Sequence, residues 1–410
     1  MALGIQPYKG ARDFYPQDKR LQKWLFGILR QTVEKFGYQE YDAPFLEPFD
    51  IFAAKSGDEL VNEQLYSFED RGGRKVAIRP EMTPSVSRMV AARRQELPYP
   101  LRWYSIPNLW RYERPQRGRS REHYQLNVDI FGVEGIEADA EVIQIADAIL
   151  KALGAKPGSY KINVNSRLAT VQALKDIGIA ESELKAAYKL VDKMPKLDKN
   201  EFDALLAEQL GADRAAKLRQ FLEGQEPPPK IRQLLDVLKA ANVETAVYEP
   251  SVVRGLDYYT DIVFEVFDTD PKNPRALLGG GRYDGLVELF GAEPLPVVGF
   301  GMGDVTLLNF LEGHGLLPAL ETEVEAVAIL IGDVYEAAQP VLETLRGKLN
   351  LAVDMTGRKL DKKIQSADKA GVANVIFVGE EEIKSQSVRV KNLASGEEKT
   401  VPLSEYTREV

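Results

Sequence analysis

The stretch LWRYERPQRGRSREHYQLNVDIFG, Leu109 to Gly132, decides how the chain is to be read. Its second half alternates: Tyr124, Leu126, Val128 and Ile130 fall on one face of an extended chain, and Gln125, Asn127 and Asp129 on the other. Three polar positions in a row on one face either meet water or line a polar site. In the first half Arg111 and Glu113 also share a face. Between the halves runs Pro115 to Arg121, a basic connection from which Arg117, Arg119 and Arg121 project. The pattern predicts two antiparallel strands joined by a mobile arginine-rich loop. Two readings stay open: a hairpin with a solvated charged face, or an anion site with a flap, where the planar fork of arginine suits phosphate oxygens.

Working outward, Leu21, Trp24, Leu25, Ile28, Leu29 and Phe36 recur at helical spacing after Pro16 and predict a helix over 17–36 ended by Gly37. Tyr38 to Phe45 is strand-like but interrupted by Pro44, which suits an edge or a subunit contact. Val142, Ile145, Ala146, Ile149 and Leu150 mark a second helix, and a β-rich block fills 58–133 between the two. Helices on one side of a mainly antiparallel sheet make an α+β pattern. From Arg167 to about Asn242 the composition turns helical, interrupted by Pro227-Pro228-Pro229, and strand and glycine signals return at Val252–Phe267 and Leu278–Met302. The simplest account is one core domain, 1–166 and 246–320, carrying a helical insertion at 167–245. Beyond Pro318 the rhythm becomes β-α-β-α-β with a closing hairpin through Ser395-Gly396, a small parallel-sheet domain over 322–410.

Composition narrows the chemistry. The chain has 410 residues, 53 Lys plus Arg against 62 Asp plus Glu, two His and no Cys, for a net charge of −9. Disulfides, thiolate metal sites and cysteine nucleophiles are excluded, and the cytoplasm fits best. His123 and His314 are too few for a multi-histidine metal site. No apolar run approaches the roughly 18 to 20 residues of a membrane span, and the start reads as no signal peptide. An acidic balance argues, taken whole, against a nucleic-acid binder. Yet among the eleven residues Arg111 to Arg121 there are five arginines and one glutamate, so cations concentrate where phosphate would be held.

Three further clusters carry possible chemistry. In Arg254-Gly255-Leu256-Asp257-Tyr258-Tyr259 an arginine precedes a strand that begins with two tyrosines on opposite faces; core tyrosines beside a surface arginine are the plainer reading. Gly279-Gly280-Gly281-Arg282-Tyr283-Asp284-Gly285, with Gly299 to Asp304, allows close backbone approach to a ligand but matches no P-loop or dinucleotide fingerprint. Arg79-Pro80-Glu81-Met82-Thr83-Pro84 reads locally as a charged surface turn.

In this order and at these separations the four segments, together with KGARDFYP at Lys9–Pro16 and GRKLDKKIQSADKAG at Gly357–Gly371, resemble class II histidyl-tRNA synthetases over nearly the whole chain. RGLDYY is the most specific run. The resemblance implies an antiparallel-sheet catalytic core with a helical insertion and a C-terminal α/β anticodon-binding domain. It implies activation of histidine with ATP and Mg²⁺ to histidyl-adenylate, then transfer to tRNA(His) by a homodimer. By family analogy Arg111 and Arg254 are catalytic, with Arg111, Glu113, Arg119 and Arg254 binding ATP. Glu81, Thr83, Gln125 and Asp129 resemble the binders of the α-ammonium and nearby polar atoms. Tyr259 and Tyr283 resemble groups around the imidazole, and Tyr258 joins the histidine site. Gln116 and Gly118 fall in the loop that meets the tRNA acceptor end. Arg358, Lys359, Lys362, Lys363 and Lys369 form the basic element of the last domain.

Two departures stand out. Asp129 replaces a glutamate common in bacterial relatives, and GFGMGDVTL places Thr306 where relatives carry an adenine-covering arginine. The retained anion-binding arginines favour an active enzyme with a variant nucleotide pocket. The alternative is a catalytically silent paralogue acting as a regulatory subunit of the ATP phosphoribosyltransferase type, against which the RGLDYY run and the last domain both argue.

Overall fold

A computed structural model describes residues 3–53, 60–191, 194, 197–224, 226–253 and 258–406. Contacts divide the chain into Met1–Asp13 with Trp24–Leu317, and Phe14–Lys23 with Pro318–Val410.

The larger unit is organised by one sheet. Its strand order is Gln39–Glu40, Leu101–Ser105, Glu122–Phe131, Val297–Gly303, Ala276–Arg282, Ile262–Asp268, Tyr160–Ser166 and Ala246–Tyr248, with Asn108–Trp110 pairing on Glu122–Phe131. The two outermost pairings are parallel and those between them antiparallel. The alternation read at 124–130 is realised. Leu126, Val128 and Ile130 enter a core with Val142, Ile145, Ile149 and Leu150 of the helix Ile136–Ala152 and with Leu25, Leu29 and Val33. Gln125, Asn127 and Asp129 face the other way, into a cavity.

That second face is closed at one end by apolar packing of Val86 and Val90 with Phe131, Tyr258, Tyr259, Tyr283 and Leu286. Val86 and Val90 belong to a helix, Thr83–Ala92, inside the stretch expected to be β-rich. Pro84 in its first turn and the four-residue spacing of the valines account for it. Likewise the expected strand over 38–45 pairs only at Gln39–Glu40, and Leu46–Pro48 joins a separate small sheet with Lys75–Ile78 and Ser67–Glu69.

The helices Arg167–Asp176, Leu184–Val191, Lys199–Leu210 and Ala212–Leu222 form their own core around Leu174, Leu206 and Leu218. Ser166 caps the first, accepting from the Ala169 amide at 3.2 Å. The helix Pro229–Ala240 instead sends Ile231, Leu234 and Leu238 into the core of the large sheet.

Arg282 ties the sheet to the N-terminus of Ile136–Ala152. It donates to the Val133 and Gly135 carbonyls at 3.0 Å each and to the Asp139 carboxylate, both side chains being buried. Burial raises the Asp139 pKa to about 6 even with Arg282 beside it. Removing one partner of such a pair strands the other charge in the interior, so Arg282→Ala is expected to cost roughly 3 to 5 kcal/mol. Denaturant unfolding measures this; a loss below about 1 kcal/mol would contradict a buried structural pair.

In the smaller unit the strands run Leu351–Asp354, Ala326–Leu330, Asn374–Val378, Ser387–Asn392, Glu398–Pro402, the first three parallel and the last two antiparallel. Val341, Leu342 and Leu345 pack on one face, and Ala367 and Val372 on the other. A short helix, Glu380–Ser385, adds to the elements expected from sequence. Arg20 of the helix Pro16–Glu34 bonds to Glu323 at 3.1 Å within this unit. Of the basic residues near the helix Leu360–Lys369, the buried Lys363 and the exposed Arg358 both pair with Asp354, at 3.9 and 3.3 Å. Lys359, Lys362 and Lys369 are exposed.

Candidate active site

Two adjoining cavities lie over the polar face of the large sheet. The first, about 300 Å³, is lined by Glu81, Thr83, Gln125, Asn127, Asp129, Tyr258, Tyr259 and Tyr283, over a floor that includes Gly279, Gly299 and Gly301. The second, about 480 Å³, is lined among others by His123, Glu265, Phe267, Arg275, Leu277, Val305 and Thr306. Arg111, Glu113, Arg119 and Gln125 line both.

Glycines make the first cavity possible. Gly299 pairs with Asp129 across the strands, and a Cβ there would collide with the Asp129 carboxylate. A Cβ on Gly301 would come within 2.8 Å of the Gln125 side chain. The middle strands therefore withhold side chains so that those of Glu122–Phe131 can lean over them.

At the buried end Tyr283 donates its hydroxyl to Asp129 Oδ1, while Oδ2 has no hydrogen-bond partner among the described residues. Burial raises the Asp129 pKa to about 7, against the lowering effect of the Tyr283 bond. Tyr283 is itself pushed well above the ordinary phenol value by burial and by Asp129. The Tyr258 ring lies tilted 4.9 Å from Tyr259 and edge-on 5.8 Å from Tyr283, and its hydroxyl donates to Glu81 Oε2 at 3.1 Å. The two adjacent tyrosines thus line one cavity rather than opposite faces. They precede the strand, which starts only at Ile262, so strand alternation does not apply to them.

The segment at Arg79 is not a surface turn. Arg79 is buried and bonds to Asp42 at 2.7 Å and to the Ala43 carbonyl at 2.6 Å, which leaves Glu81 buried at the cavity wall. The Pro80 carbonyl accepts from Arg111 Nε at 2.9 Å, aiming that guanidinium at the seam between the cavities.

The arginine-rich connection is folded. Gln116 and Arg119 exchange backbone hydrogen bonds at 3.0 and 2.9 Å around Gly118, whose φ is +74°. Arg119 Nε pairs with Glu113 at 2.7 Å. Arg121, read from sequence as projecting, is instead a buried pin: it bonds to the Glu113 carbonyl at 3.1 Å and the Tyr8 hydroxyl at 2.8 Å and lies 3.9 Å over the Tyr112 ring. The Gly10 carbonyl accepts from the Arg121 and Glu122 amides and the Ser120 hydroxyl, so the opening KGARDF segment anchors the root of the loop. Arg12 continues that anchor to Asp304 at 2.8 Å.

Gln116 and Gly118 sit at the tip of the connection, Gln116 exposed. Arg254 lies outside the described residues. Sequence reasoning assigned no site role to Asn127, His123 or Arg275. Asn127 was legible from the alternation itself. His123 is held neutral, its pKa lowered to about 3 by burial, Arg111 and Arg12. No group of three or more His, Cys, Asp or Glu side chains among the described residues is arranged to hold a metal.

A family model described as histidyl-tRNA synthetase matches residues 10–305, and one described as anticodon binding domain matches residues 325–410. The histidine–tRNA ligase of Leptospira biflexa is 41% identical over 100% of this chain and 98% of its own length. That of Thermoplasma volcanium is 38% identical over 98% and 97%. In fold, the crystal structure of histidyl-tRNA synthetase from Nostoc sp. superposes with a TM-score of 0.81 at 21% identity, covering 100% of each chain. With matches that span both units, the chain belongs to the histidyl-tRNA synthetase family.

Proposed function

We propose that the chain is a histidine–tRNA ligase that activates histidine with ATP and transfers the histidyl group to the 3′ end of tRNA(His). The observation that carries this reading is the pair of adjoining cavities sharing Arg111 at their seam. The smaller, polar cavity has the size and donor set for an amino acid, and the larger one accommodates a nucleotide. In the first step a histidine carboxylate oxygen attacks the α-phosphorus of ATP, and the bond to pyrophosphate breaks. The nucleophile is already ionised, so no general base is needed. The task is to neutralise charge: Arg111 bridges the carboxylate and the α-phosphate, Arg254 stabilises the charge growing on the phosphorus oxygens, and Arg119 takes the outer phosphates.

Glu81, Thr83 and Gln125 receive the α-ammonium. Asp129, which the family resemblance groups with the α-ammonium binders, is instead taken with Tyr283, Tyr258 and Tyr259 around the imidazole, where its Oδ2, without a hydrogen-bond partner among the described residues, supplies an acceptor for a ring N–H. A buried acceptor of this kind rejects apolar isosteres, which would leave it unpaired. Mg²⁺ accompanying ATP would supply shielding of the phosphate charge. Glu113 and Glu265 are the carboxylates lining the same cavity and fit a hard cation that keeps most of its waters. Gln116 and Gly118 meet the acceptor end of the tRNA, and the exposed Lys359, Lys362 and Lys369 meet the anticodon region. The enzyme works in the cytoplasm as a homodimer, for which the exposed Leu46 and Phe68 of the small sheet, with Phe45 just ahead of it, supply apolar surface.

Histidine-dependent exchange of pyrophosphate into ATP tests the reading. Exchange with histidine and none with other amino acids is expected; its absence would favour the silent regulatory paralogue. Because the chain as a whole carries −9 and its arginines are densest at Arg111–Arg121, the logarithm of tRNA affinity should fall with the logarithm of salt with a slope of only a few. A slope near about 10 would mean a far larger phosphate footprint.

A further inference from the structure

The nucleotide-side cavity contains a cation that the roles above leave unused. Arg275 directly precedes the strand Ala276–Arg282 and is half-buried at the cavity wall. It has no hydrogen bond or ion pair among the described residues, whereas its neighbour Arg119 is paired with Glu113. Its position is built rather than incidental. The side chain lies across Gly118, where a Cβ would come within 2.8 Å of Arg275 Cδ, so the tip of the basic connection is hollowed to seat it. Asn309 stands 3.6 Å from that same Cβ position, its amide nitrogen buried and without a hydrogen-bond partner among the described residues. Thr306, one turn earlier on the helix Asp304–Gly313, is bonded at 3.3 Å to the Leu277 carbonyl on the strand that Arg275 leads into. Arg275 and Thr306 thus line one cavity, the arginine just ahead of the strand and the threonine on the helix beside it.

Two guanidiniums at one cavity wall, only one of them neutralised, repel each other until an anion enters. Burial and Arg119 lower the Arg275 pKa, and Glu113 opposes this only in part. A polyphosphate bridging the two arginines would relieve that repulsion, and the planar fork of each could hold two oxygens.

We propose that Arg275 is a nucleotide-binding residue which, with Arg119, grips the outer phosphates of ATP. This rests on the ligase reading and extends it to a residue outside the family-based assignments.

The test compares wild type with Arg275→Ala in histidine-dependent ATP–pyrophosphate exchange, and by titration calorimetry with ATP and with AMP in the absence of histidine. Arg275→Ala should raise the KM for ATP at least tenfold, leave the KM for histidine within twofold, and weaken ATP binding while AMP binding stays within twofold. Arg275→Lys should fall between the two. An ATP KM within threefold of wild type would overturn the proposal. So would an equal loss for AMP, which lacks the outer phosphates, or a change confined to the KM for tRNA. If Arg275→Ala does not fold, Arg275→Gln keeps a stem across Gly118 and carries the same expectations. Should the wild type show no exchange, the ligase reading fails, while the ATP and AMP titrations still decide the role of Arg275.

Discussion

Arg111→Ala is expected to lower kcat/KM for histidine-dependent pyrophosphate exchange by about a hundredfold to a thousandfold, the range found when a preorganised charge-stabilising donor is removed. Arg111 lines both cavities, and its Nε is tethered to the Pro80 carbonyl at 2.9 Å, so its terminal nitrogens are set in place before substrates arrive. Arg111→Lys should recover little, because an ammonium cannot keep the Pro80 tether and also offer two parallel donors. The same substitutions should leave the melting temperature within a few degrees, since the tether is one hydrogen bond at a partly exposed site. A loss of activity below tenfold in a folded variant would remove Arg111 from the seam of the reaction.

The second large effect has opposite signs in stability and function. Asp129→Asn is expected to raise the KM for histidine by about a hundredfold, because the amide presents a weaker acceptor to the ring N–H. It should also stabilise the ligand-free protein at alkaline pH. Burial raises the folded-state pKa of Asp129 to about 7, from 3.8 when unfolded. Between those values the folded protein holds a proton that the unfolded chain has released, so this site loses stability as pH rises from about 4 to about 7 and is flat above. At roughly 1.4 kcal/mol per pH unit, the advantage of the neutral variant should grow by about 3 kcal/mol between pH 5 and pH 8. Unfolding of both proteins at those two pH values measures it. A gap that shrinks with pH would show that Asp129 is held as a carboxylate by something other than substrate.

These expectations turn on residues that differ in how legible they were. Period-two alternation from Tyr124 to Ile130 separated core from cavity correctly because both faces of that strand are constrained, one by a helix layer and one by the site. Alternation misled at Tyr258 and Tyr259 because they belong to a turn ahead of the strand, where successive side chains need not oppose. Arg121 and Arg119 look equivalent on paper. What distinguishes them is the opening KGARDF segment, more than a hundred residues away in sequence, which buries one and leaves the other at the cavity. Arg79 was misread for the same reason, its partner Asp42 lying on a distant segment. Arg275 was illegible because Asn273-Pro274-Arg275 has the composition of an ordinary turn. Only the juxtaposition with Gly118, Thr306 and Asn309 gives it a role.

The glycine floor of the amino-acid cavity bears on inhibitor resistance. Mutations commonly defeat a competitive drug by adding a methyl group where the drug is bulkier than the substrate. At Gly299 that route is closed, because the added carbon would strike the protein's own Val128 carbonyl and Asp129 carboxylate before it met any ligand. A compound that draws its affinity from lying flat on Gly299 would deny the target a single added methyl group there that excludes the drug and spares the amino acid.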